Sequence, residues 1–591
     1  LREATVFVGT AHGTTDDEVG GDDREEHNFR KSHAGNLANS GRRVNPYFNR
    51  DSGAGPVVRS RGGRMTLRTI HVQEAKEQSV SDPSTPAGAS KSRLPVTFWL
   101  ANLMEFFERG AYYGLNAVLA VYLADQLRFS VESVGFLQGF VYALTYVVPI
   151  AGGALAERLG YRRMLLVAFS LLATGYFLAG ATSTYGVVFA SLLVMATGSG
   201  LFKPIITGTV ARTTTKETSG FGFGVYYWCI NLGAFIAPFI VNVLKGLSWK
   251  YVFINSAVWC ALMLVPTAFF YREPERPKST KGARRVAAEA LMVLGDSRFM
   301  LMILVYSCFW ILYFQTFGPA LWFVRDFINR DLVTAWMSGI PVLRYFVFDA
   351  EFVTIVNAGV IILLVLVVSR VCKNLRPIPV IAGGIVIGTL GFVILAFSEG
   401  PWMFILGIAV FSIGEMTAHP KYYSYIGLVA PRENVAVYMG YAFLYGVVGS
   451  LFGSNMGAIM YERLLTPVVP SPDALRSGAA IGAEARGNIR EFWLTFVVLG
   501  VVCVTGMLLY NRFFAEDSPK TRKHAWRIML GVYAVLAATG TLFLARSLFA
   551  AGQIQWKTLV QSAILLGLGG GGIVLSLKNR LREPAAARAS A

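Results

Sequence analysis

Charge is scarce in this chain of 591 residues: Asp, Glu, Lys and Arg make up 15%, against 54% apolar residues. Over such a length that balance excludes an ordinary soluble fold. Cysteine is scarcer still. Cys229, Cys260, Cys308, Cys372 and Cys503 are scattered through or beside apolar stretches, with neither pairing nor metal-ligand spacing, so neither a disulfide framework nor a metal site is expected. HExxH, a Walker loop and GxSxG on a strand-to-helix turn are all missing, so no enzyme and no cofactor is expected. The glycine patterns "GFGFG" and "GLGGGG" lie in or beside apolar segments, where helix packing accounts for them.

Long apolar runs are abundant. Windows of about 20 residues, enough for a hydrocarbon core of about 30 Å, occur at fourteen places from Leu115 to Leu566. An all-α polytopic membrane protein follows. The net charge of +18 does not point to nucleic acid, because basic residues crowd alternate loops such as "ERLGYRRM", "YREPERPKSTKGARR" and "NRFFAEDSPKTRKHAWR". The positive-inside rule then places both termini in the cytoplasm of a plasma membrane or bacterial inner membrane. Residues 1–94 read as a disordered cytoplasmic tail, with Met65 as a possible true start.

The expected organisation is a six-helix bundle over 95–271, a cytoplasmic linker over 272–297 and a second six-helix bundle over 298–513. A loop over 514–525, two accessory spans over 526–578 and a cytoplasmic tail over 579–591 complete it. Two bundles joined by a long inner linker suit a transporter built from repeats, with its site at mid-depth between them.

Three charges interrupt the first apolar helix. At about 100° per residue, Glu105, Glu108, Arg109, Tyr112 and Asn116 share one stripe. Charges at membrane depth disfavour insertion by at least about 2.5 kcal/mol each, so they pair, line a cavity or mark a pathway. Two acids and one base cannot all be neutralised among themselves. One carboxylate is therefore a natural proton carrier, since burial disfavours its charge and the arginine favours it.

Several segments carry a family resemblance. "GGALAERLGYRRM" resembles the loop signature of the major facilitator superfamily. "EFFERGAYYG" resembles the first-helix motif of its proton-dependent oligopeptide transporter branch, with Gly110 at a usually larger residue. "GSGLFKPIITGTVA", "YYWCINLGAFIAP" and "IGEMTAHPKYYSYIGLVAP" are similar to that branch's fourth, fifth and tenth helices. The resemblance implies twelve core helices in the major facilitator fold and proton-coupled symport of di- and tripeptides by a monomer.

A zwitterionic peptide needs separated charges of opposite sign. Arg109 and Lys203 are candidates for its carboxylate and Glu415 for its amine, with Asn231 and Asn357 assisting and Tyr112, Tyr113, Asn116 and Tyr142 lining the site. Glu105, Glu108, Arg109, Glu415 and His419 are the candidates for proton coupling. Lys203 also reads as a helix-end lysine, Asn231 as a bond to a neighbouring helix, and the tyrosines as packing. His419 lies one turn after Glu415; it reads either as that carboxylate's titrating partner or as a histidine bonded to backbone near Pro420.

Three departures from the family pattern stand out. Phe314 replaces a usual acid, Ala442 a usual tryptophan, which would widen the pocket, and Ala358 a usual proline. They keep two other functions in view: transport of another small solute, such as nitrate, an amino-acid conjugate or a drug, and nutrient sensing without transport.

Overall fold

The computed structural model describes residues 94–215, 218–274, 293–430, 435–478, 481–549 and 556–589. The tail expected over 1–94, but for its last residue, and most of the linker expected over 272–297 lie outside the described residues. The first bundle comprises α1 (Val96–Val121), α2 (Val131–Leu159), α3 (Tyr161–Ala181), α4 (Tyr185–Thr213), α5 (Ser219–Leu247), and a sixth span split into α6 (Trp249–Leu262) and α7 (Leu264–Phe269). The second opens with α8 (Ser297–Tyr313) and α9 (Pro319–Phe327), followed by a short helix, α10 (Arg330–Ser338). It continues with α11 (Phe352–Cys372), α12 (Pro377–Ala396), α13 (Pro401–Val429), α14 (Val435–Ala442) with α15 (Leu444–Met460), the short α16 (Pro472–Arg476), and α17 (Ala483–Phe513). A terminal pair, α18 (Pro519–Phe549) and α19 (Trp556–Ala589), pack on each other, and α18 also leans on α8.

Thirteen described stretches are long and apolar enough to cross a membrane. Helix α1 would be the fourteenth; it fails the charge limit because every 18-residue window of it contains Glu105, Glu108 and Arg109. The fold is thus the all-α one expected, with twelve core spans in two six-helix bundles and two extra spans.

Close packing within the bundles rests on missing side chains. A Cβ on Gly384 would come within 2.7 Å of the Ala418 nitrogen and one on Gly414 within 2.6 Å of the Gly384 carbonyl, so α12 and α13 meet backbone to backbone. Gly110 fits the same logic. The Trp259 ring occupies the space its side chain would take, with Cε3 at 2.9 Å, so the larger residue usual in the family is replaced by an indole from α6.

The span formed by α8 and α9 is broken over Phe314–Phe317, just before Gly318 and Pro319. Proline supplies no N–H, and the break frees carbonyls that side chains must satisfy. Gln138 of α2 donates to the Phe317 carbonyl at 2.9 Å, and Gln315 donates to the carbonyls of Ile311 and Gly453.

The two bundles meet chiefly along α2 with α15 and α5 with α11. Call the end holding residue 94 the near face and the opposite end the far face. Among the described residues, the hydrogen bonds and ion pairs joining the bundles run from mid-depth to the far face. Lys245 pairs with Asp349 at 2.5 Å and Glu351 at 2.6 Å, and Asn242 bonds Glu351 and the Val347 carbonyl. Arg325 pairs with Asp125, and Trp322 donates to the Ala120 carbonyl.

Candidate functional site

The charged stripe of α1 is buried as a unit, with Glu105, Glu108 and Arg109 exposing 1%, 0% and 6% of their surfaces. Neighbours in a helix do not ordinarily face each other, yet the Arg109 guanidinium forks onto the Glu108 carboxylate, its Nη2 donating to Oε1 at 2.6 Å. Ser199 of α4 completes the knot: it accepts from Arg109 at 3.1 Å and donates to Glu108 at 2.9 Å. Glu105 stands 3.6 Å from the Arg109 Nε through one oxygen, and its other oxygen, buried, has no hydrogen-bond partner among the described residues.

The first bundle therefore holds one acid fully engaged and one only half engaged. Lys203, one turn beyond Ser199, forms no ion pair among the described residues; its ammonium lies 4.8 Å over the ring of Tyr146. Tyr112 and Tyr113 flank Arg109, with ring centres 4.8 and 5.9 Å from its Cζ.

In the second bundle a single acid is held by neutral groups. Asn357 of α11 donates to Glu415 of α13 at 2.9 Å and to Ser412, one turn before it, also at 2.9 Å. His419 is not hydrogen-bonded to Glu415. Its Nδ1 lies 3.2 Å from the Tyr306 hydroxyl, inside a box made by Trp310, Tyr423 and Tyr445 with ring centres 5.0–5.7 Å away. Neither sequence reading of His419 anticipated this partner.

Tyr113 reaches across the seam between the bundles, its ring centre 5.9 Å from the Arg109 Cζ and 6.5 Å from the ring of Phe317. Tyr142 and Asn116 belong to a different line: Gln138 donates to the Tyr142 hydroxyl at 3.1 Å, which donates to the Asn116 amide oxygen at 3.0 Å. Asn231 donates to the Tyr227 carbonyl one turn back in its own helix, at 2.8 Å, and no hydrogen bond from it to a neighbouring helix is found among the described residues.

Phe314, where an acid was expected, stacks on Tyr142 with ring centres 5.3 Å apart and planes at 24°, so an apolar contact joins the bundles there. Ala442 is fully buried, and Tyr422 donates to its carbonyl at 2.9 Å, at the break between α14 and α15. Ser199, Tyr146, Trp310 and Tyr306 escaped the sequence reading. Of these, Ser199 was within reach, since it precedes Lys203 by one turn in the quoted fourth-helix motif.

The profile described as Major Facilitator Superfamily matches residues 99–454. The chain belongs to that superfamily. Dipeptide and tripeptide permease A of Escherichia coli (strain K12) is 25% identical over 413 residues, covering 65% of this chain and 81% of the permease. Dipeptide and tripeptide permease B of Aliivibrio fischeri (strain MJ11) is 32% identical over 182 residues, 30% of this chain; the match spans only 36% of that permease. A solved POT family transporter in complex with 5-aminolevulinic acid superposes with a TM-score of 0.56 at 19% identity, over 72% of this chain and 97% of that one, a likeness of fold. These relatives come from the oligopeptide-transporter branch that the helix motifs resemble.

Proposed function

We propose that this chain carries di- and tripeptides across a membrane together with protons, by alternating access. The observation that supports the reading is that Arg109 and Lys203 belong to the first bundle and Glu415 to the second, with the Tyr113 ring reaching from Arg109 to Phe317 of the second bundle. In this reading Lys203, free of an acid partner among the described residues, takes the peptide carboxylate and Arg109 polarises it. Glu415, steadied by Asn357, takes the amine. Tyr112, Tyr113, Asn116, Tyr142 and Asn231 shape the space for the side chains.

A peptide gripped by both bundles favours the state in which they close on it, and only such differential binding moves an equilibrium between open states. The ties at the far face leave the near face as the side that opens. Taking the near face as cytoplasmic, from the basic loops there, gives the inward-facing state. Proton traffic falls to Glu105, beside Arg109, and to Glu415. His419, turned to Tyr306, supports the second bundle's side of the site without carrying the proton. The names of the permease relatives support the peptide reading.

One observation favours a second reading. With Phe314 stacked on Tyr142 in place of an acid, the pocket suits a smaller solute carrying both an amine and a carboxylate, like the ligand named for the solved relative. Uptake of a labelled dipeptide into proteoliposomes under an inward proton gradient tests both. Glu415→Gln removes a charged hydrogen bond of about 1.5–3 kcal/mol, so uptake should fall by about ten- to a hundredfold. Full uptake in that variant would refute the amine site. Competition by amino-acid-like solutes, but not by di- and tripeptides, would select the second reading.

A further inference from the structure

The stretch between α9 and α11 at the far face has a surface that transport does not use. Helix α10 turns Val333 and Met337 inward and presents Leu332 and Trp336, one turn apart, outward, with Trp336 55% exposed. The turn and the single 3-10 turn that follow add Val342 and Tyr345, 71% and 68% exposed, and Arg344 lies beside the Tyr345 ring at 4.7 Å. The polar side faces elsewhere: Asp331 pairs with Arg476 of α16, and Thr334 accepts from the Phe348 amide. The segment is thus amphipathic, with most of its apolar side exposed.

Its depth is fixed by one contact. Trp336 packs edge-on against Trp402, ring centres 5.1 Å apart, and Trp402 is the second residue of the spanning helix α13. Below it on α13, Met403 and Leu406 are exposed in the way of lipid-facing residues. The apolar side of α10 therefore continues the lipid-facing surface at the level where a span enters the bilayer. Tryptophan and tyrosine with a nearby arginine are the residues that settle between headgroups and acyl chains.

We propose that residues 332–347 form an interfacial anchor, lying in the headgroup–acyl boundary of the far leaflet with Leu332, Trp336, Val342 and Tyr345 turned into lipid. The anchor is tied to the junction of the bundles. Arg330 at its start holds Asp349 at its end at 2.9 Å, and Asp349 is gripped by Lys245 of the first bundle. Lipid that holds the segment also holds the far-face tie.

The test uses the full chain in phosphatidylcholine vesicles containing a phospholipid with a diazirine near the glycerol end of one acyl chain. Photolysis should place adducts on peptides spanning 332–347, and Trp336→Ser with Tyr345→Ser should reduce them severalfold while adducts on α13 persist. Should that double variant not fold, Val342→Ser alone carries the same expectation. Labelling of the segment by a water-soluble carbene reagent, with lipid adducts confined to the spanning helices, would overturn the proposal. So would chain-to-chain crosslinks through the segment that rise with protein density, which would give the surface to a second copy.

Discussion

The two bundles carry clusters of different electrostatics. The first carries two acids and two cations in close company, and one pair of them is already spent: Glu108 is satisfied by Arg109 and Ser199. The second carries one acid, Glu415, held only by an amide. A self-compensated cluster can persist through a transport cycle with little change in charge. A lone acid steadied by neutral donors instead awaits a cation, be it a proton or an amine. Within the first cluster Glu105 repeats the second cluster's condition on a smaller scale, since one of its oxygens lacks a hydrogen-bond partner among the described residues.

Disrupting the compensated side should have the largest effect. Glu108→Gln strands the buried Arg109, and breaking a buried pair from one side destabilises by about 3–5 kcal/mol. A large drop in the thermal midpoint of the purified protein is expected, with counterflow lost alongside. Glu105→Gln should behave oppositely. Because that carboxylate is the half-engaged one, the midpoint should barely move, while uptake driven by a proton gradient is lost and peptide exchange without a gradient survives. Equal destabilisation by the two variants would abolish the distinction between spent and unspent charge.

The second bundle gives smaller, more specific effects. Asn357→Ala removes the donor to Glu415 and Ser412, an effect of about 1–2 kcal/mol by the usual size of such bonds. Peptide affinity should weaken by roughly five- to thirtyfold, with the stability change smaller than for Glu108→Gln. His419→Gln sharpens the comparison further. Since its ring nitrogen meets Tyr306 and no hydrogen bond joins it to Glu415, uptake should fall by a few-fold at every pH alike. A shift of the pH profile would instead restore His419 as the titrating partner of Glu415.

The sequence made the fold legible because membrane burial is a composition signal. Fourteen apolar windows and alternating basic loops needed no contacts to be read. The charged candidates were legible for a related reason, since Glu105, Glu108, Arg109 and Glu415 interrupt apolar runs that tolerate few such residues. Pairings were not legible. That Glu108 takes Arg109 and leaves Glu105 half engaged depends on Ser199, ninety-one residues away in sequence. His419 turned to Tyr306 for the same reason: helical spacing places side chains on a face but does not say which neighbouring helix they meet. Phe314 reads as a loss, yet in the structure it stacks on Tyr142 of the other bundle, a contact that a single chain position cannot foretell.

The smallest expected effect lies away from both clusters, where the bundles are tied. Burial alone would raise the Asp349 carboxyl, but Lys245 and then Arg330 outweigh it and hold that carboxyl below its usual range. The sign follows from the depressed value. The contribution of Asp349 to the tie is complete above the ordinary aspartate value of about 3.9, and it fades only as pH falls through the lower folded value. Mild acidification should therefore leave the Asp349 contacts intact, whereas Glu351, the other carboxylate on Lys245, is raised by burial and is the member of the tie that protonates first. Arg330→Gln removes the more exposed of the two cations, whose side chain is 39% accessible, and Asp349 keeps Lys245. The loss should be about 0–1 kcal/mol, as for other partly exposed pairs, and the acid limb of the thermal midpoint should move slightly toward neutral pH. A large loss of stability, or contacts of Asp349 that break on mild acidification in the unaltered protein, would show that this carboxyl answers to protons as the clusters do.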